Sequence, residues 1–141
     1  MKIVRFEDIA SWKEGRILCK MIYALTDKRK FKSDVGLKDQ IQRAAVSVIS
    51  NIAEGFDSRS NAEFQRFLIY ARRSVSELKS QLYVAFDVSY ITQDEFDTTY
   101  NQADKVGKLT NGFIRYLTST TKPKLKSTGR PTNEQTNKPT N

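Results

Sequence analysis

From Asp8 to Leu117 the apolar residues recur at three- and four-residue intervals, and no stretch keeps the strict alternation of a half-buried strand. The pattern predicts four helices. The first spans about residues 8–25, with Ile9, Trp12, Cys19, Ile22 and Tyr23 on one stripe, widened by Leu18 and Leu25. The charged stretch Asp27–Gly36 reads as a loop, and the second helix follows over about 37–54. Its stripe is Leu37, Ile41, Ala44, Ala45, Val48 and Ile52, and Gly55 is placed for a left-handed C-terminal cap. Ser60-Asn61-Ala62-Glu63 has the form of a capping box that opens the third helix, which runs to about Val88. Thr92-Gln93-Asp94-Glu95 repeats that form before a fourth helix whose stripe is Phe96, Tyr100, Ala103, Val106, Thr110, Phe113 and Leu117.

Four long amphipathic helices with short connections predict an all-α, antiparallel up-down-up-down four-helix bundle over residues 1–118. Trp12, Ile41, Val48, Ile52, Phe67, Val75, Leu78 and Phe113 are its expected core. Gly107 and Gly112 are expected to permit close helix approach. The first helix is apolar over more of its circumference than an isolated bundle uses, since Ile17 and Met21 lie away from Trp12, which predicts self-association. Residues 119–141 hold all three prolines and five basic residues against Glu134, and Leu125 is their one large apolar side chain. This basic, Pro/Thr/Asn-rich tail is expected to be disordered.

Histidine is absent and Cys19 is the one cysteine, which excludes His-dependent triads, His metal sites, a Cys-x-x-Cys pair and an intrachain disulfide. No apolar run approaches the length of a membrane span, and mean hydropathy is -0.57. The start Met1–Asp8 carries acids and lacks an apolar central region, so it does not read as a secretory signal, and a soluble, cytoplasmic protein is expected. Catalysis would have to rest on Glu54, Glu63 and Glu77. Glu63 and Glu77 are fourteen residues apart on one helix, too far to share acid and base roles, so no enzyme, metal or cofactor is expected.

Beside the stripes run two polar lines: Gln40, Arg43, Ser47, Asn51 and Glu54 on the second helix, and Glu63, Arg66, Tyr70, Arg73, Ser74, Glu77 and Gln81 on the third. Arg43, Ser47, Asn51, Glu54, Ser74 and Glu77 are candidates for a hydrogen-bonded network between helices or subunits; two solvated faces are the alternative. Glu54 sits in a last turn, where the helix dipole disfavours a carboxylate, so an arginine partner is expected from Arg43, Arg59, Arg66 or Arg73.

The net charge of +8 favours polyanionic partners. Lys28, Arg29, Lys30 and Lys32, with Arg59, Arg66, Arg72 and Arg73, are the candidate contacts to RNA or DNA phosphates. The competing reading is a protein-interaction scaffold whose charge serves solubility. A continuous positive band would favour the first, and arginines consumed in internal pairs the second.

The segment from Gln40 to Phe56, QIQRAAVSVISNIAEGF, closely resembles the signature of the bacterial 23S ribosomal RNA intervening-sequence proteins. The likeness continues through Arg59-Ser60, Glu63-Phe64, Arg66-Phe67-Leu68, Ala71–Ser74 and Glu77-Leu78, with Phe6, Asp8-Ile9 and Trp12 as the opening. It implies a small bundle that assembles as a ring-shaped homopentamer. Some members are encoded inside intervening sequences of ribosomal RNA genes. A related basic pentamer, an accessory protein of diversity-generating retroelements, engages nucleic acid and a reverse transcriptase, which makes a protein partner an analogy too. Arg73 where the family often has Gly, Ser50 where Pro or Ala is common, and the tail are departures from the pattern.

Overall fold

The computed structural model describes residues 3–127, with side chains through residue 120. A single 3-10 turn at Phe6–Asp8 leads into α1 (Ala10–Thr26), α2 (Arg29–Ser33), α3 (Val35–Phe56), α4 (Asn61–Asp87) and α5 (Gln93–Ser127). The four long helices close a square, in which α1 and α4 each pack against both α3 and α5. Cross-helix bonds fix the directions. Ser47 meets Ser74 while Gln40 meets Gln81, and Arg72 meets Asn111 while Lys79 meets Asp104, so position rises along α4 as it falls along α3 and α5. The expected antiparallel four-helix bundle is the fold.

Both capping boxes form. Ser60 Oγ accepts from Glu63 N at 3.1 Å, and the Glu63 carboxylate accepts from Arg59 N at 3.1 Å, one residue before the position the motif names. At α5, Thr92 Oγ1 accepts from Glu95 N at 3.1 Å and Glu95 Oε1 accepts from Thr92 N at 2.8 Å. The buried interior includes Ile41, Val48, Ile52, Val75 and Leu78, with Leu18, Ile22, Leu68, Leu82 and Val106. Trp12 and Phe113 pack half-buried against it, and Phe67 is half-buried beside Tyr70.

The helices differ from expectation in five places. The charged stretch after α1 is not all loop: Phe31, wholly buried, packs 5.3 Å from the Tyr90 ring and draws its neighbours into α2. Asp34 then caps α3 by accepting from Leu37 N at 3.1 Å and also accepts from the Tyr90 hydroxyl at 2.9 Å.

Gly55 does not cap α3. It is helical and sits against α4, where a Cβ would stand 2.7 Å from Phe64 Cδ1 and 2.9 Å from Phe67 Cβ. Gly15 does the same for α1 and α3, with Ile49 Cγ2 at 2.7 Å, whereas Gly107 and Gly112 have room for a methyl group.

The inward face of α1 is Ser11, Gly15, Leu18, Ile22, Leu25 and Thr26, and Tyr23 and Ile17 are each 47% exposed. Counting apolar residues displaced that face because small residues occupy two of its inward positions. Finally, α5 continues past residue 118 and through Pro123 to Ser127, overrunning the expected start of the tail. Of the expected tail, residues 128–141 lie outside the described residues.

Candidate functional site

The polar lines meet along the seam between α3 and α4. Ser74 Oγ donates to Ser47 Oγ at 2.9 Å, and Asn51 Nδ2 donates to Ser47 O at 2.8 Å and Ser47 Oγ at 3.0 Å. Further along, Gln81 Nε2 donates to Gln40 Oε1 at 3.4 Å. The Ser47–Ser74 and Gln40–Gln81 bonds tie α3 to α4, while those of Asn51 stay within α3. Arg43, Glu54 and Glu77, the charged candidates of the same network, are exposed and carry no ion pair among the described residues. Among the described residues, none of the arginines expected for Glu54 pairs with it. Between the two tied levels lies a groove of about 300 Å³, lined by Gln40, Arg43, Ala44, Ser47, Glu77 and Gln81. Arg43 also borders a second groove, toward α1, with Tyr23, Asp39 and Gln42.

The basic candidates fall into separate groups. Lys28, Arg29, Lys30 and Lys32 lie between α1 and α3, at one end of the bundle, and Arg59 lies between α3 and α4, at the other. The 22 residues of α3 place these ends about 33 Å apart. Lys28 pairs with Glu95, Lys32 approaches Asp27 at 3.6 Å, and Arg66 approaches Glu63 at 3.9 Å. Arg72 donates to Asn111 Oδ1 at 3.0 Å, and the Arg73 guanidinium lies over the Tyr70 ring at 6.0 Å. Arg29, Lys30, Arg59, Arg72 and Arg73 have no carboxylate partner among the described residues.

Part of the polar line read on the third helix forms a basic strip. Arg66, Tyr70 and Arg73 occupy i, i+4 and i+7 of α4, which aligns them on one face two turns long, with Arg59 just ahead of the helix. Tyr70 is 39% exposed, and Arg73 packs over its ring. The seven-residue spacing of Arg59, Arg66 and Arg73 was visible in the sequence; that the tyrosine is presented outward required the fold.

The remaining chemistry is muted. Cys19 Sγ donates to Ala45 O at 3.1 Å, and burial pushes its pKa up to about 11, so the thiol stays protonated and unreactive. Among the described residues no group of three His, Cys, Asp or Glu side chains could hold a metal ion, and no helix is long and apolar enough to cross a membrane. Three carboxyls are held below their ordinary range by neighbours: Glu14 first by the Gln102 amide, Glu95 first by Lys28, and Asp104 first by Lys79. All three are struts between helices.

The model of the 23S rRNA-intervening sequence protein family matches residues 7–112, from the 3-10 turn well into α5. The chain belongs to that family. Its functional description goes no further than the name. No curated protein matches the chain. Among solved structures it is similar to a protein of unknown function from the S23 ribosomal protein family of Bacteroides thetaiotaomicron, at 20% identity and a TM-score of 0.69. That likeness covers 74% of this chain and 98% of the other, and supports the shared bundle fold of this intervening-sequence family member.

Proposed function

We propose that this protein is a non-enzymatic, homo-oligomeric bundle of the cytoplasm that binds structured RNA or DNA through phosphate contacts. The resemblance to the intervening-sequence proteins implies a pentamer. The observation that carries the nucleic-acid reading is the Arg59, Arg66, Tyr70 and Arg73 strip, in which guanidinium groups flank an exposed aromatic ring. Arginines there meet phosphates, and a tyrosine face supplies sequence-tolerant stacking. A neutralising partner is present only for Arg66, at the long distance of 3.9 Å. The Lys28–Lys32 group is too far along the bundle to join the same cluster of phosphates, and serves a second stretch of a longer nucleic acid.

Assembly draws support from Arg43, Glu54 and Glu77. Exposed charges of both signs without an ion-pair partner among the described residues are what a second copy would neutralise. The half-exposed Ile17 and Tyr23 of α1 add apolar contact. A ring of five would multiply the +8 charge into a strong field for any polyanion.

The test is a gel shift of full-length protein with structured RNA and duplex DNA, beside a variant carrying Arg59→Gln, Arg66→Gln and Arg73→Gln. Retarded complexes for the wild type, weakened at least about tenfold in the variant, are expected. Absence of any complex at roughly 0.15 M salt would replace this reading with the protein-interaction scaffold.

A further inference from the structure

The seam between α4 and α5 carries a line of polar and aromatic contacts that the arginine strip does not use. Position rises along one helix as it falls along the other, so Gln65 meets Thr118, Arg72 meets Asn111 and Lys79 meets Asp104 at steps of seven residues. Seven residues are close to two turns, which keeps the three pairs in one line. One turn past Lys79, Tyr83 packs against Tyr100 and Phe96, with ring centroids 5.8 and 4.9 Å away.

The charge along this line is one-sided. Asp104 accepts from Lys79 at 2.9 Å and pairs with Lys108 at 3.0 Å, so two ammonium groups share one carboxylate, and the Lys108 side chain is 79% exposed. Arg72 has only the neutral Asn111 amide opposite it. Asp104, Lys108, Asn111 and Arg115 occupy i, i+4, i+7 and i+11 of α5, which places them on one face, and Arg115 has no ion pair among the described residues. Arg72, Lys79, Lys108 and Arg115 are thus set against Asp104 alone, since Asp87 and Asp97 come only past Tyr83. Such an excess attracts a polyanion.

A second observation is independent of the charges. Tyr83 is 51% exposed although Phe96 and Tyr100 hold it from behind, and the Lys79 ammonium lies over the Tyr100 ring at 4.9 Å. An aromatic ring fixed in place, partly open to solvent and followed by a line of cations is the arrangement that takes unpaired bases on its face and phosphates along its length. A duplex keeps its bases stacked inside and has none to give Tyr83, and an acidic protein segment would meet the cations without using the ring.

We infer that the α4–α5 seam is a track for single-stranded RNA or DNA, with one base stacked on Tyr83 and the neighbouring phosphates on Lys108, Arg72 and Arg115. From Tyr83 to Arg72 the track runs about 16 Å along α4. Lys79 is a positioning residue, holding Asp104 and the Tyr100 ring. The inference rests on the nucleic-acid reading and extends it to unpaired strands and to a second surface, which uses none of Arg59, Arg66, Tyr70 or Arg73.

Fluorescence anisotropy of the full-length protein at roughly 0.15 M salt tests it, with a labelled oligothymidine of about 16 nucleotides, an abasic strand of the same length and a matched duplex. The oligothymidine should bind at least about fivefold more tightly than the abasic strand, the ratio that one stacked base supplies. Tyr83→Leu should lower that preference, and Tyr83→Phe should keep it. Replacing Arg72 and Lys108 by glutamine should weaken both strands alike, by at least about tenfold. A strand carrying iodouridine should photocrosslink to the tryptic peptide 80–105, which holds Tyr83 and Tyr100. Equal wild-type affinities for the two strands, an unchanged preference in Tyr83→Leu, or crosslinks confined to peptide 67–72, which holds Tyr70, would each overturn the inference. Displacement of the strand by polyglutamate at equal charge would assign the seam to an acidic protein instead. Retained duplex binding beside any of these results leaves the arginine strip standing, whereas failure of all three nucleic acids removes both readings. The strand comparison and the crosslink use the wild type alone, so they decide the matter even where a variant misfolds.

Discussion

Gly55 of α3 lies so close under Phe64 of α4 that a Cβ on the glycine would stand 2.7 Å from the ring's Cδ1. The whole α3–α4 seam depends on that approach, because it sets the spacing at which Ser47 reaches Ser74 and at which the groove stays open. Gly55→Ala should destabilise the bundle by about 1–3 kcal/mol, the overpacking cost outweighing the gain in helix propensity. Gly107→Ala, whose methyl would meet Val75 at an ordinary 3.5 Å, should instead stabilise by up to about 1 kcal/mol. Urea denaturation of both variants checks the pair, and equal effects would show that α3 and α4 are not in this contact.

Leu78 is wholly buried where α4 faces the centre of the bundle. Leu78→Ala should cost roughly 2–5 kcal/mol. A denaturation midpoint that does not move would mean α4 presents another face to the core.

Phe31 makes a complementary case at the end of the bundle. Phe31→Ala should release α2, and amide exchange should rise over residues 29–33 and at the Tyr90 turn while the middle of α3 stays protected. Uniform loss of protection would show instead that α2 is part of the global folding unit.

Acid should weaken the fold through Glu14, Glu95 and Asp104. Each is held below its ordinary pKa by a hydrogen-bonding neighbour, so each contributes stability that is present above the unfolded value near 4 and lost as pH falls through the lower folded value. Lys28→Met removes the chief cause at Glu95. The difference in melting temperature between pH 7, above that window, and pH 3, roughly one unit below the unfolded value, should therefore be smaller in the variant. Cys19 has the opposite sense: its thiol, raised from 9.0 to about 11, favours the fold below pH 9 and loses that contribution as pH rises toward 11. Labelling of the folded protein by a thiol reagent should accordingly be slow at neutral pH and fast in denaturant.

Much of the fold was legible because its signals are local. Ser60 and Thr92 announce helix starts through bonds made within four residues, and the Ile41, Val48 and Ile52 stripe needs only the helical period. What escaped depended on neighbours distant in sequence. Phe31 sits in a run of lysines and arginine, and it becomes a core residue through packing of α2 on α1 and α3 and against Tyr90, some sixty positions on. Gly55 reads as a cap until Phe64 and Phe67 are seen above it. Ser11 and Gly15 hide the inward face of α1, since neither is apolar enough to mark it. At the candidate site the sequence supplied the residue types of both polar lines, but not which of them pair. Ser47, Asn51 and Ser74 turned inward to one another, whereas Arg43, Glu54 and Glu77 stayed outside, a division set by helix register and side-chain length.

The mass of the particle is a simple check on assembly. Light scattering at micromolar concentration should return a multiple of 16.2 kDa, five-fold if the family resemblance holds for this chain, and Glu54→Gln should shift it toward the monomer. A wild-type value near 16.2 kDa would reject self-association.

The most direct test of the proposed nucleic-acid role is the salt dependence of binding to duplex DNA, measured by fluorescence anisotropy on the full-length protein. The logarithm of the affinity should fall linearly with the logarithm of salt concentration, with a slope of about 0.9 per phosphate contacted. Replacing Arg66 and Arg73 by glutamine should lower that slope by nearly two contacts' worth while the helical signal is unchanged. A wild-type affinity indifferent to salt, or a slope that survives both substitutions intact, would contradict the account.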